Sequence, residues 1–427
     1  MSAPVEAEKA SVKKDKNAKL AAKNAKAERR AAAKTGSSTA SQGSIPPPSP
    51  GQVPQSTGTS KPNKKAAPSS NATPAAETSR KKTPDNDPLQ LFLHLDSPTK
   101  SQSLCYLPAA PTANIHPSII KLALQTAEFK IVSANDRCIA FIQALKDVIV
   151  SYVPPPQTLL YRHLPTTHLN PQINHLIRAR PLCVSMGSAL RYLKYEITQL
   201  DASLSVDESK TILLERLDSF VNERIILAGK VIQYHANSKI CNGDVVLTYG
   251  RSALIEELLV EAWESGKRFE VVVVDSVPMY GGKELVKTLN AYNIPTTYLL
   301  LSSLLSAPKP SIAILDTAAL LCNGAMYARA GTAMVAMMMN QKAVPVVCVC
   351  ETYKFSERVM LDSIVGNEMG SSVPLESNDV NLLPLRLLYD VSRPEDVTAV
   401  ITEAGIIPVQ SVNGVMRDYK PLLGVAA

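Results

Sequence analysis

The chain has 427 residues, 45% of them apolar, with 45 Lys and Arg against 38 Asp and Glu for a formal net charge of +7. That length leaves room for two or three domains, and the apolar content is ample for a sizeable core beyond the first ~90 residues. Seven scattered cysteines argue against a disulfide-stapled scaffold, and no apolar run approaches ~18 residues, which argues against a membrane span.

The first ~90 residues stand apart from the rest. Met1 to Lys34 is rich in Ala and Lys with almost no large apolar side chain, and Ile45 to Asp87 is rich in Pro, Ser, Thr and Gly. Residues 1–90 are therefore expected to be a disordered basic tail and linker. The tail carries roughly +9, which leaves the remainder near neutral. A basic tail without aromatics makes at most weak, sequence-tolerant contacts with RNA or ribosomes. It contains no apolar h-region, so the cytosol is the expected location.

Residues 115–236 carry helical spacing. Cys138, Phe141, Ile142, Leu145, Val148, Ile149 and Tyr152 form one stripe, halted by Pro154, Pro155 and Pro156. Met186, Ala189, Leu190, Leu193, Ile197 and Leu200 form a second, and Ile212, Leu213, Leu217, Phe220, Ile225 and Val231 mark a long third helix, with Ser205 and Glu208 as a capping box at its start. Arg178, Arg180, Arg191 and Lys194 cluster around the second helix. Paired cations of this kind can receive a phosphoserine; a solvated charged face is the plainer reading.

Residues 240–427 alternate short apolar runs with helical patterns. The runs Val245–Leu247, Val271–Val274, Tyr298–Leu301, Ile312–Leu315 and Val344–Val349 are expected to be strands buried on both faces. Between and around them, Ala253–Trp263, Glu284–Tyr292 and Thr332–Asn340 read as helices. The fold class is thus α/β: a disordered tail, a helical bundle, and a Rossmann-like, doubly wound parallel sheet. Ligands of such sheets meet the carboxyl ends of the strands. Only Gly250 follows the first strand where a dinucleotide site needs G-x-G-x-x-G, so Asp275 is expected to bond a loop rather than a ribose. No cofactor is implied. Cys348 and Cys350 lack a second pair, and no histidine has a partner at i, i+4, so no metal site is expected.

The segments NDRCIAFIQALKDVIVSY, RPLCVSMGSALRYLKYEI, NGDVVLTYGRS, FEVVVVDSVP, NGAMYARAGT and CETYKFSERV resemble the delta-subunit family of eukaryotic translation initiation factor 2B, from about Ile115 onward. The resemblance implies a non-catalytic regulatory subunit of the guanine nucleotide exchange factor for initiation factor 2. It implies alpha, beta, gamma and epsilon subunits as partners. It also implies a role in sensing phosphorylation of the substrate's alpha subunit, with Arg178, Arg180, Arg191 and Lys194 as the guessed contact. The fold is shared with sugar-phosphate isomerases. Where those enzymes carry a reactive cysteine this sequence has Gly250, and where they carry an aspartate it has Ala318; their Asn-Lys is Ala328-Arg329. Proton transfer at one carbon needs both an acid and a base, so catalytic residues are expected to be none. Asn323, Gly324, Gly331 and Thr332 remain as a structural motif, with Thr332 expected to cap the following helix. The alternatives are an active isomerase, or a metabolite-sensing module with a phosphate at the helix after Thr332 beside Arg329.

Overall fold

A computed structural model describes Leu95 and residues 115–156, 158, 160–201, 204–370 and 386–419. The expected tail and linker, residues 1–90, lie outside the described residues.

Helices α1 (Pro117–Ala127), α2 (Ala134–Ser151), α3 (Asn170–Ala179), α4 (Val184–Thr198), α5 (Val206–Phe220) and α6 (Ala228–Asn237) come first. The α2 stripe is buried throughout, and the chain leaves helix at Tyr152, two residues before the three prolines. At the start of α5, Ser205 Oγ accepts from the Glu208 amide at 3.3 Å and the Ser205 amide donates to Glu208 Oε2 at 3.0 Å, the reciprocal capping box. The long third helix does run from α5 into α6, but it passes through a π-helical stretch at Val221–Leu227. The part before this stretch buries Leu213, Leu217 and Phe220 in the helical core. The part after it buries Ile232 and Ala236 against the sheet, so one helix spans both cores.

The main sheet has the order β11-β10-β7-β4-β1-β2-β3. Its strands are β1 (Val245–Tyr249), β2 (Glu270–Asp275), β3 (Thr296–Leu300), β4 (Ile312–Asp316), β7 (Val346–Val349), β10 (Ala399–Thr402) and β11 (Gly405–Ile407). All neighbours are parallel except β11, which closes one edge antiparallel to β10. Alternate side chains face opposite cores. Val246, Val271 and Ile314 meet α6, α7 (Ala253–Glu264) and α8 (Gly282–Ala291), while Leu247, Val272 and Leu315 meet α9 (Thr332–Gln341) and α10 (Val412–Tyr419). The sheet is therefore wound on both faces.

Two sequence expectations change. The run expected at Tyr298–Leu301 forms β3 at Thr296–Leu300 instead, and as the sheet edge it is half-exposed, not buried on both faces. A second sheet of order β8-β5-β6-β9 was also not anticipated: β5 (Ala319–Leu321), β6 (Met326–Arg329), β8 (Phe355–Ser356) and β9 (Tyr389–Ser392). Its strands are too short to show a period. Asn323 and Gly324 turn the β5–β6 hairpin. Gly324 adopts φ +81°, its amide donates to Leu321 O at 2.8 Å, and Asn323 Nδ2 donates to Met360 O at 3.1 Å. A Cβ at Gly324 would stand 2.5 Å from Val409 Cγ1.

Gly324→Ala is accordingly expected to destabilise the fold by at least about 1–2 kcal/mol from the left-handed backbone alone. A lowered urea midpoint with an unchanged m-value is the measurement.

Candidate functional site at the junction of helices and sheet

The strand order reverses between β1 and β4, and the carboxyl ends of these two strands open into a cleft of about 120 Å³. The sheet supplies Tyr249, Arg251, Asp316 and Arg329 to its lining, and the helical half supplies Phe129 and Arg180. The volume is below the ~300 Å³ at which drug-sized ligand pockets begin.

Gly250 follows β1 with φ +64°, and a Cβ there would lie 2.7 Å from Arg329 Nη1; one on Gly281 would lie 3.2 Å from the same atom. The guanidinium of Arg329 thus covers two glycines and fills the space a side chain at 250 would need. Ala318 also lines the cleft, and its amide donates to Tyr327 O at 3.0 Å. Asp275 is buried and bonds its own surroundings. Its Oδ1 accepts from the Ser276 amide at 2.9 Å; its Oδ2 accepts from the Gly282 amide at 2.7 Å and Tyr298 Oη at 3.2 Å. Burial and this carboxylate push the Tyr298 phenol up to about 12.

The N-terminus of α9 differs from expectation. Thr332 does not cap it: its hydroxyl donates to Arg329 O at 2.6 Å. The cap position is Gly331, at φ +106°, and the amides of Gly331 and Ala333 donate to Asp390 Oδ2 at 2.7 and 2.9 Å. A carboxylate from β9, 59 residues away in sequence, satisfies the helix end. Reading local spacing could not find it.

Of the four residues expected to contact a phosphoserine, Arg180 does not stay on the surface. Arg178 and Arg191 are exposed, with Arg191 Nη2 donating to Ser188 Oγ at 3.1 Å, and Lys194 is half-buried with its Nζ 3.4 Å from Asn170 Oδ1. Arg180 is buried in the junction. Its Nε pairs with Glu368 Oε2 at 2.9 Å, its Nη2 donates to Tyr389 Oη at 3.1 Å, and its guanidinium lies 4.7 Å from the Phe129 ring centroid. It leaves the surface cluster because its partners arrive from the sheet half.

Sequence reading also missed what the segment after β7 does. Glu351, Tyr353 and Lys354 are all buried. Glu351 Oε1 accepts from Asn135 Nδ2 at 2.7 Å, Tyr353 Oη donates to Asn135 Oδ1 at 2.6 Å, and Lys354 Nζ sits 2.7 Å from Glu351 Oε2 and 3.6 Å from Asp316 Oδ1. Burial alone would push the Lys354 ammonium down; Asp316 and Glu351 outweigh it and hold the group above its ordinary value. Thr352 is held by Glu403, whose carboxyl is raised by burial against the opposing effect of those bonds. Among the described residues no group of His, Cys, Asp and Glu is arranged to hold a metal.

Burial raises the Asp390 carboxyl to about 7, partly countered by the Ala333 and Gly331 amides. With a folded value above the unfolded one, its contribution to stability is full below the unfolded value of 3.8 and is lost as pH rises through about 7. Unfolding of the native chain and of Asp390→Asn, compared at pH 5 and pH 8, should show the native chain gaining stability relative to the variant at the lower pH.

The initiation factor 2 subunit family matches residues 130–409. The chain is 39% identical over 363 residues to translation initiation factor eIF2B subunit delta of Schizosaccharomyces pombe, covering 81% of this chain and 76% of that protein. The delta-containing crystal structure of the tetrameric eIF2B beta2-delta2 complex from C. thermophilum superposes with a TM-score of 0.67 at 36% identity, over 74% of this chain and 97% of that one. Ribose 1,5-bisphosphate isomerase of Thermococcus kodakarensis is 28% identical over 251 residues, 57% of this chain and 78% of the enzyme. No helix among the described residues is long and apolar enough to cross a membrane. The match extends through both the helical and the sheet half, and the chain belongs to the initiation factor 2 subunit family.

Proposed function

We propose that this chain is a non-catalytic, delta-type regulatory subunit of the cytosolic guanine nucleotide exchange factor for translation initiation factor 2. It assembles with alpha, beta, gamma and epsilon subunits and responds to phosphorylation of the substrate's alpha subunit. The observation that carries this reading is the likeness to delta subunits across both halves, including a delta chain solved together with beta.

The cleft supports the non-catalytic part. The isomerase cysteine and aspartate positions correspond to Gly250 and Ala318. Arg329 Nη1 stands 2.7 Å from where a Cβ at Gly250 would be, so a cation lies beside that position. Proton transfer at one carbon needs an acid and a base, and neither Gly250 nor Ala318 has a side chain that supplies one. The metabolite-sensing alternative is weakened by Asp390, which already accepts from the α9 amides a phosphate would use. Function has then moved from the pocket to surfaces.

Two surfaces are assigned. The loop after β8 exposes Val359 at 59%, Leu361 at 90% and Val365 at 72%. Several exposed aliphatics in one short loop fit burial against a partner subunit, and the beta subunit is the partner we assign to them. On the helical half, the exposed Arg178 and Arg191 and the half-buried Lys194 are the cations we assign to a phosphoserine.

Leu361→Asp with Val365→Asp should reduce recovery of a tagged beta partner by about tenfold or more, as anchors in an interface core carry most of the binding energy. Recovery at the native level would remove the loop from the interface. Separately, Arg191→Glu with Lys194→Glu should leave basal GDP release intact and weaken its inhibition by phosphorylated substrate. The assay is GDP release by the reconstituted factor with phosphorylated and unphosphorylated substrate; inhibition equal to the native level would remove these cations from the sensing surface.

A further inference from the structure

Covalently the helical and sheet halves are joined by one route through the described residues, the helix that runs from α5 through the π-helical stretch Val221–Leu227 into α6 and on to β1. A π-helical interruption inside a long helix is a place where the rod can bend, since its hydrogen-bond register changes there. Nothing in that helix alone would keep the two cores at a fixed angle.

Two polar struts cross the junction, the first part-buried and the second buried. In the first, the Asn135 amide is held at both ends, donating to Glu351 and accepting from Tyr353, 216 and 218 residues away. Reversing the amide would turn its oxygen toward a carboxylate, so the orientation is set by charge. Tyr353 itself enters the helical core, its ring edge-on to Phe220 with centroids 5.9 Å apart. In the second strut, Arg180 reaches from the end of α3 to Glu368 and Tyr389, and its Nη1 is buried with no partner among the described residues. Neither strut can lengthen without taking a bond from a buried group, Glu351 and Tyr353 in the first and Arg180 and Glu368 in the second, so the pair resists bending as a latch does.

We propose that Asn135 and Arg180 are positioning residues that lock the helical and sheet halves into one rigid lever, so that a contact made on the helical surface is transmitted to the subunit-pairing surface as a rigid-body movement with no hinge inside the chain. This rests on the regulatory reading above. Removing the struts frees the bend at Val221–Leu227. The helical half can then engage a partner while the sheet half stays where it was, and the signal is lost without any change at the sensing surface.

The test uses the assembled factor carrying Asn135→Ala with Arg180→Met in this chain; Asn135→Ala alone serves where the double variant does not assemble. Amide exchange is followed at residues 134–138 and 221–227, together with GDP release from unphosphorylated and phosphorylated substrate. The lever predicts at least tenfold faster exchange in both segments, unchanged basal GDP release, and loss of most of the phospho-dependent inhibition. It is overturned by unchanged exchange in the two segments, or by accelerated exchange with full inhibition retained. If the native factor shows no phospho-dependent inhibition, the regulatory reading fails. In that case the exchange rates still decide whether the struts lock the junction.

Discussion

The buried group around Lys354 is the constraint on which the rest of this structure depends. An ammonium removed from water is stable only if paired, and here Glu351 and Asp316 pair it while Asn135 and Tyr353 satisfy the remaining carboxylate and amide positions. Its members come from three parts of the fold: Asp316 from the end of β4, Glu351, Tyr353 and Lys354 from the segment after β7, and Asn135 from the first turn of α2. Breaking such a set by removing one partner typically costs about 3–5 kcal/mol. The position of the helices over the sheet is therefore coupled to the integrity of the cleft floor, since Asp316 belongs to both.

The cleft keeps the architecture of a doubly wound fold. The crevice stands at the point where strand order reverses, as the topology requires. Within it Arg329 lies over Gly250 and Gly281, Asp275 is spent on the Gly282 amide and Tyr298, and Asp390 takes the helix end. Asp275 and Asp390, two of the groups that could serve a ligand, already serve the protein. The exposed features lie elsewhere, on the aliphatic loop after β8 and the cations of α3 and α4.

Much of the fold was legible because it is periodic. The α2 stripe, the capping box at Ser205 and the central strands β1, β2 and β4 follow from local spacing, and the structure places them within a residue or two of expectation. The small sheet was not legible. Phe355–Ser356 pairs with Leu320–Leu321, and two-residue strands carry no period. The misplaced residues share one physical cause. Arg180 reads as one of four surface cations until Glu368, 188 residues on, pairs with it, and Thr332 reads as a cap until Asp390 displaces it. Partners supplied by distant strands decide charge and capping, and a single sequence does not show which strands meet.

The most direct measurement is affinity recovery of the full chain from its own cells, with the native mass of the assembly and the identity of each component. The account predicts a large assembly containing the catalytic exchange subunits together with alpha- and beta-type partners. A free homodimer with no translation factor bound, and turnover of a pentose bisphosphate, would contradict it.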